Sequence, residues 1–466
     1  MKAYESVKIG TNRGRPRIWL EGMKAILGGF LPGKRFNLIV NAEHKSICLE
    51  LHNQGERVVS QKLRNDRAIP IIDINSGHAL GVFEGHDSVR IVVLESRIFI
   101  LLSVVERSVQ ERITRLQRKL EADEPLLVGS LSHGGGVLSH ALHKGMADAG
   151  VASSLAFANE IRPELVEQAY ACNDVWDANT IPLIAPLQEV AFDQAVMSRL
   201  PMVELLEAGL PCSGASAAGR AKNGAGHAEA HPEVGHLVVG FLALVAKVQP
   251  VAIAFENVLP YRNSASMHLM RNQLRDFGYE VHEIEVNAED WNVLEHRARL
   301  CMVAVTRGIE FNFDLLEKPP RVERHLGEIL EPISESDPCW SPMTGLKEKE
   351  IRDKAEGKNF KMQIVTPFST SCPTITKGYS KIRSTDAKLQ HPSNPALLRQ
   401  FTASEHARIK GIPEALVSGV SSTLAHEILG QSICYEPFRA IGKCIGGYLG
   451  RIKLMEPKET AFQLVG

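Results

Sequence analysis

Hydrophobic and polar positions along the chain fall into three rhythms. Up to residue 102, short apolar runs alternate with polar turns: Arg17-Ile18-Trp19-Leu20, Phe36-Asn37-Leu38-Ile39-Val40, Ile47-Cys48-Leu49-Glu50-Leu51, Val89 to Leu94 and Ile98 to Leu102. These runs are rich in β-branched residues and predict a β-rich N-terminal domain over residues 1–102. From Ser103 to Glu121 the period lengthens. Val105, Val109, Ile113, Leu116 and Leu120 recur at helical spacing among charges, which predicts a linker helix over 103–122 packing on a domain or on a partner's copy. Two heptads are too few for a coiled coil.

Beyond residue 122 apolar runs of strand length alternate with helical ones. Leu126 to Leu131 reads as a buried strand, Ser132-His133-Gly134-Gly135-Gly136 as a turn, and Val137 to Ala149 as a helix. Ser154 to Ala158 is a second strand, ending in Asn159-Glu160. Val234 to Ala246 reads as a buried helix, with Val251 to Phe255 and Leu300 to Val305 as strands. The fold class is therefore α/β, with a doubly wound sheet over residues 123–307 in which ligands sit beyond the carboxyl ends of the strands. From 308 to 395 the rhythm lapses, and Lys347 to Lys361 is dense enough in charge to read as a solvated excursion. Residues 396–466 return to the core.

Charge and cysteine content narrow the class. Lys and Arg number 53 against 54 Asp and Glu, so no global field draws the chain to nucleic acid and any attraction must be local. One local candidate is the arm of Arg13, Arg15 and Arg17, which reads equally as a frayed, solvated terminus. The eight Cys form no C-x-x-C pair, which argues against a disulfide scaffold or structural zinc and suits a reducing cytoplasm. The N-terminus lacks the apolar core of a signal peptide, and Ile91 to Val105 is too broken by charge to span a membrane. His133, His140 and His143, like His227, His231 and His236, lack completing ligands and read as satisfied or exposed rather than metal-binding.

Five short stretches carry candidate chemistry. Pro211 fixes the backbone before Cys212, and the small-residue loop that follows carries Ser216, Arg220 and Lys222, whose cations would reach phosphates. The strand Val251 to Phe255 delivers Glu256 and Asn257 to the same edge, and Arg297 and Arg299 precede the strand beginning at Leu300. The Gly-rich turn with Glu160 at the end of the next strand is the arrangement that holds a nucleoside-containing cofactor through its ribose. Thr366, Ser369 to Ser371, Thr374, Thr376 and Lys377 offer hydroxyls and a cation for phosphate and base edges.

In this order the motifs resemble those of the C5-cytosine DNA methyltransferases, over roughly residues 126–450. Gly134-Gly135-Gly136 falls on that family's cofactor turn, Glu160 on its ribose-binding acid, and Gly209-Leu210-Pro211-Cys212 with Ser216 on its nucleophile motif. Glu256-Asn257-Val258 and Arg297-x-Arg299 match further motifs, as do Arg399, Thr402, Glu405, Arg408, Gly411 and Pro413, and then Gly430-Gln431-Ser432-Ile433. The departures are Ser132 for a Phe, Val137 for a Gly, Pro186 near a missing Asp, Glu295 for a Gln and Gln431 for an Asn.

The resemblance implies an S-adenosyl-L-methionine-dependent methyltransferase domain acting on a flipped-out cytosine of double-stranded DNA, with residues 308–395 as a small target-recognition region. It implies Cys212 as the nucleophile, Glu256 on the base edge, and Arg297 and Arg299 holding the adduct. Ser132, His133, Gly134, Gly135, Gly136 and Glu160 would hold the cofactor, and Pro211, Ser216, Arg220, Lys222, Asn257 and Thr374 the substrate. No metal is needed. The departures lead us to expect a cofactor pocket unlike the usual one. The N-terminal region also resembles swapped-hairpin DNA-binding domains of the AbrB/SymE kind, which implies a homodimer. The alternatives are a tRNA cytosine-C5 methyltransferase and a catalytically weak DNA-binding regulator.

Overall fold

The computed structural model describes residues 1–211, 229, 231, 234–358 and 360–452. The chain forms two compact units, Met1–Glu111 and Arg112–Gly466. The first is built of antiparallel strands in a six-stranded and a four-stranded sheet. Its logic is strict alternation: along Ser88–Leu94 every second side chain is buried, so Val89, Ile91 and Val93 join Ile18, Leu20, Phe36, Ile47, Leu49 and Ile98 in one core. The five strands expected from the pattern are all present. Ala3–Lys8, Ser60–Arg64 and Arg67–Ile74 form strands too. Their polar alternate positions, and Pro70 within the last, hide them from a pattern of apolar runs. The Arg13–Arg17 arm is not frayed. It is a hairpin whose turn holds Arg13 and Gly14 at positive φ, and Arg17 is committed to a bidentate pair with Asp73 at 2.8 Å.

The linker helix runs from Val104 to Glu121. Its C-terminal half is fastened to the second unit by three cations. Arg112 donates to the Phe277 carbonyl and lies 4.0 Å over the Tyr279 ring. Arg115 and Lys119 converge on the buried Glu204 carboxylate at 2.8 and 2.9 Å, and Glu204 also accepts the Leu127 amide.

The second unit is organised by a seven-stranded sheet. Its elements in chain order are β1 (Leu126–Leu131), α1 (Val137–Asp148), β2 (Ser153–Glu160), α2 (Pro163–Cys172), β3 (Ile181–Ile184), α3 (Leu187–Phe192), β4 (Leu205–Ala208), α4 (Leu237–Val248), β5 (Ala252–Asn257), α5 (Ala265–Asp276), β6 (Tyr279–Asn287) and β7 (Ala298–Thr306). The spatial order is β3-β2-β1-β4-β5-β7-β6, parallel from β3 to β5, with β7 antiparallel to both its neighbours. The order reverses between β1 and β4, the kind of switch point at which open α/β sheets take their ligands. Strand β7 runs backwards, so its first residues lie at the edge where β4 and β5 end.

Helices cover both faces. One layer is α3, α4 and α5, packed through Leu187, Val190, Phe241, Leu244, Met270 and Leu274. The other is α1 with two helices from the end of the chain, α7 (Ser422–Gln431) and α8 (Tyr435–Arg451), which follow α6 (Ala403–Ile409). Helices α1 and α8 meet at backbone distance: a Cβ on Gly145 would lie 1.9 Å from the Arg439 carbonyl, and one on Gly442 would lie 2.4 Å from that of Leu142. This crossing returns residues 403–451 to the sheet. Pro186 caps α3, in the place where the resemblance leads one to expect an Asp.

Residues 308–395 contain little regular structure, as the lapse in rhythm predicts, around a small core that includes Leu326, Ile329, Cys372, Ile375 and Tyr379. The charged stretch is not a loop. Thr344–Ala355 is a helix stabilised by a Lys349–Asp353 pair one turn apart, 2.6 Å long. Among the described residues no helix is long and apolar enough to cross a membrane.

Candidate active site

The turn between β1 and α1 is a left-handed staircase, with Ser132, Gly134 and Gly136 at φ of 54°, 58° and 75°. Gly136 and Gly134 reach this region freely, whereas Ser132 carries a side chain there and is strained. Glu160 holds the turn to β2. Its Oε2 accepts the Gly134 amide at 2.8 Å, and its Oε1 accepts the Ile161 and Arg162 amides at 2.9 and 3.1 Å. A carboxylate has about four lone-pair positions, so one is left for a ligand hydroxyl.

Only part of the expected cofactor set faces outward. Ser132 and Gly134 are partly exposed, and a Cβ on Gly134 would lie 3.5 Å from Gln431 Nε2, an ordinary contact. His133, Gly135 and Gly136 are buried. Gly135 is pressed against Ile428, whose Cγ2 would be 2.6 Å from an added Cβ, and Gly136 starts α1 beside Asn173. The His133 ring is inside the fold: its Nδ1 meets Ser130 Oγ at 2.7 Å and its Nε2 accepts the Trp176 indole N–H at 3.1 Å. His140 and His143 likewise have partners, Tyr435 and Ser153. His236 bonds Gln188, and His227 lies outside the described residues.

The second half of the site is assembled where β4 and β5 end. Asn257 is buried, and its Nδ2 donates to the Leu210 carbonyl at 3.1 Å, tying the end of β5 to the segment that leads to Pro211, which is exposed. Glu256 lies beside it, and a Cβ on Gly209 would be 3.6 Å from its Oε2. Across the edge, Arg299 on β7 meets Glu256 Oε1 through Nε at 2.9 Å. Cys212, Ser216, Arg220 and Lys222 lie outside the described residues.

Arg297, expected beside Arg299, points elsewhere. Its Nη2 donates to the Gly430 carbonyl at 3.3 Å, and its Nε is 3.9 Å from Glu295 in the interior. It braces the last motif and does not meet Glu256. Glu295 is wholly buried. It accepts the Ile375 amide at 2.8 Å, and Lys410 Nζ approaches at 3.2 Å. Burial alone would push this carboxyl up, but Lys410, Arg297 and the Ile375 amide together hold it below its ordinary value. Lys410 in turn is pushed down to about 8 by burial and Arg297, against the pull of Glu295. Thr374 is exposed at the surface, and its hydroxyl donates to the His296 carbonyl at 2.6 Å.

Residues 128–447 match the C-5 cytosine-specific DNA methylase family. The chain belongs to that family. It is therefore a methyltransferase, and the family's reaction draws on S-adenosylmethionine. The chain is 27% identical over 259 residues to the type II methyltransferase M.NlaX of Neisseria lactamica, covering 54% of this chain and 78% of that one. It is 28% identical over 203 residues to the tRNA (cytosine(38)-C(5))-methyltransferase of Schizosaccharomyces pombe, covering 40% of this chain and 60% of that one. The crystal structure of S. pombe Dnmt2 methyltransferase superposes with a TM-score of 0.53 at 20% identity, over 70% of this chain and 98% of the other, a likeness of fold.

The sequence reading did not single out Glu207 or Trp176, which lie beside the glycine turn between β1 and α1. A signal for Glu207 was present, because an acid inside the otherwise apolar run Leu205 to Ala208 has no water to face.

Proposed function

We propose that this methylase transfers the methyl group of S-adenosylmethionine to C5 of a cytosine flipped out of duplex DNA, through a covalent adduct of Cys212. The observation that carries the reading is the Arg299–Glu256 pair at the edge where the Leu210-Pro211 segment is tied down by Asn257. These groups are fixed by strand ends rather than by loops, which is how a nucleophile and a proton-handling carboxyl are kept in register.

Bound S-adenosylmethionine supplies an electrophilic methyl carbon on its sulfonium. Glu160 would accept a ribose hydroxyl on its remaining lone pair, and the space above Gly134, bordered by Gln431, would receive the nucleoside. The Cys212 thiolate would add to C6 of the base, and the electron pair displaced from the C5–C6 bond makes C5 nucleophilic. Glu256 would hydrogen-bond the N3 and amine edge and stabilise the charge developing there, with Arg299 fixing its carboxyl. After methyl transfer, loss of the C5 proton restores the ring and expels the thiolate. Lys377, Lys381 and Arg383 are exposed on the recognition segment near Thr374 and would neutralise phosphates. Arg297 would act by bracing Gly430, without touching the base.

Incorporation of label from methyl-tritiated S-adenosylmethionine tests the reading, with duplex DNA and tRNA offered separately and the modified cytosines located by bisulfite sequencing. Label on C5 of DNA supports it. Label on tRNA alone moves the substrate to that of the yeast relative. Cofactor binding without label on either leaves the DNA-binding regulator.

A further inference from the structure

Packed against the glycine turn lies a column of polar groups that the proposed reaction does not use. It begins at Glu207 on β4, which is 2% exposed and whose Oε1 has no hydrogen-bond partner. It continues through Ser130, in register beside Glu207 on β1, to His133 in the turn, and ends at Trp176 in the segment after α2. The direction of each bond can be worked out. An indole N–H only donates, so His133 Nε2 is the acceptor; a neutral imidazole then carries its proton on Nδ1 and gives it to Ser130 Oγ. The ring is neutral because burial pushes its pKa down to about 3.

The Glu207 carboxyl therefore has no cation to balance it. The groups packed around it are Ser130 and Ala254 on the flanking strands, Ser139 on α1, and the neutral His133 with Nδ1 at 3.9 Å. His133 is in turn faced by His143, which burial also keeps neutral. An acid in such surroundings keeps its proton at neutral pH. Burial raises the Glu207 carboxyl to about 8, against the smaller pull of Ser130 and Ser139.

We propose that Glu207, Ser130, His133 and Trp176 form a positioning device that holds the glycine turn in the shape that receives the nucleoside cofactor, and that it works only while Glu207 is protonated. The inference rests on the reading of this turn as the cofactor site. His133 N is bonded to Asn159 O and Gly134 N to Glu160, so a displacement of the imidazole is carried directly to the ribose-binding carboxylate. Ionised Glu207 would place an uncompensated charge next to Ser130. It would draw the Ser130 hydroxyl proton and the Nδ1 proton toward itself, pulling the ring from Trp176 and the turn from Glu160.

The test is calorimetric binding of S-adenosylmethionine and of S-adenosylhomocysteine to the full chain between pH 6 and 9.5. Alongside it, the infrared carbonyl band of a protonated carboxylic acid and the Trp176 fluorescence are titrated without ligand. The expected result is a loss of affinity of roughly fivefold or more with a midpoint near pH 8, at the low end for coupled sites. The acid band and the fluorescence should change at the same midpoint, and all three transitions should be absent in Glu207→Gln. A Glu207→Gln variant that fails to fold leaves the wild-type titrations decisive, with Trp176→Phe identifying the fluorescence signal. Affinity that is flat across the range, or a break that survives in Glu207→Gln, would overturn the proposal. Absence of binding at every pH with the acid band present removes the cofactor reading and this inference with it. A titrating acid band with pH-independent affinity removes the inference alone.

Discussion

Glu295→Gln takes one charge and almost no volume from a cluster that water does not reach. Glu295 and Lys410 are fully buried, and Arg297 is nearly so. The glutamine oxygen can still accept the Ile375 amide that Glu295 holds at 2.8 Å. What it cannot do is balance Lys410 at 3.2 Å and Arg297 at 3.9 Å. Among the described residues, Lys410 and Arg297 then keep the Ser432 and Gly430 carbonyls as acceptors and no balancing carboxylate. Stranding a buried charge costs about 3–5 kcal/mol, a large share of the roughly 5–15 kcal/mol that holds a domain folded.

Adding Lys410→Met removes the stranded ammonium and should recover most of the loss, giving a coupling energy of about 2 kcal/mol or more in the double-mutant cycle. The assay is urea unfolding of the full chain followed by tryptophan fluorescence, where Trp176, Trp291 and Trp340 report on the second unit and Trp19 on the first. A Glu295→Gln cost under about 1 kcal/mol, or strictly additive single changes, would refute the reasoning. Lys410 at 3.2 Å is the cation that balances this buried acid.

Asn257→Asp keeps size but replaces a donor with an acceptor against the Leu210 carbonyl; methyl transfer should fall at least tenfold while the melting temperature falls by a few degrees, and a fully active variant would contradict the tie. Arg299→Met should lower kcat more than cofactor affinity, since Arg299 meets Glu256 and the cofactor turn is held by Glu160; equal loss in both, read from single-turnover rates and calorimetry, would place it differently. Gly145→Ala gains about 1 kcal/mol of helix propensity, but its methyl meets the Arg439 carbonyl at 1.9 Å, so thermal unfolding should show net destabilisation of about 2 kcal/mol or more. Glu207 holds a proton in the folded chain between its ordinary 4.5 and about 8 that the unfolded chain has lost. Its contribution to stability should thus fall as pH rises through that window and level off above it, and Glu207→Gln should flatten this slope in pH-dependent urea unfolding.

The elements legible in the sequence were those whose local and tertiary demands agree. Strand β1, its glycine turn and α1 are readable because a buried parallel strand is continuously apolar and the turn needs glycine. Val89 to Leu94 is readable because one face is wholly core. Ala3–Lys8 was missed because its alternation is between polar and half-buried side chains, and the Thr344–Ala355 helix because its stability comes from charge pairs rather than an apolar face. At the candidate site, the strand-end positions of Glu160, Glu256 and Asn257 were legible from the pattern, and parallel strands put them at one edge of the sheet. It could not separate Arg297 from Arg299, because which of two nearby arginines turns inward depends on Gly430 and Glu295, far apart in the chain. The inward turn of His133 was hidden for the same reason: its partner Trp176 lies 43 residues away.

The central claim is that Cys212 bonds covalently to cytosine beside Glu256 and Arg299. Duplex DNA carrying 5-fluorocytosine in many sequence contexts tests it most directly, because fluorine cannot leave as a cation and the final elimination stops. Incubation with S-adenosylmethionine should give an adduct that survives denaturing electrophoresis and is lost in Cys212→Ser. An adduct that persists in Cys212→Ser, or none on DNA from a chain that binds both cofactor and duplex, would contradict the account.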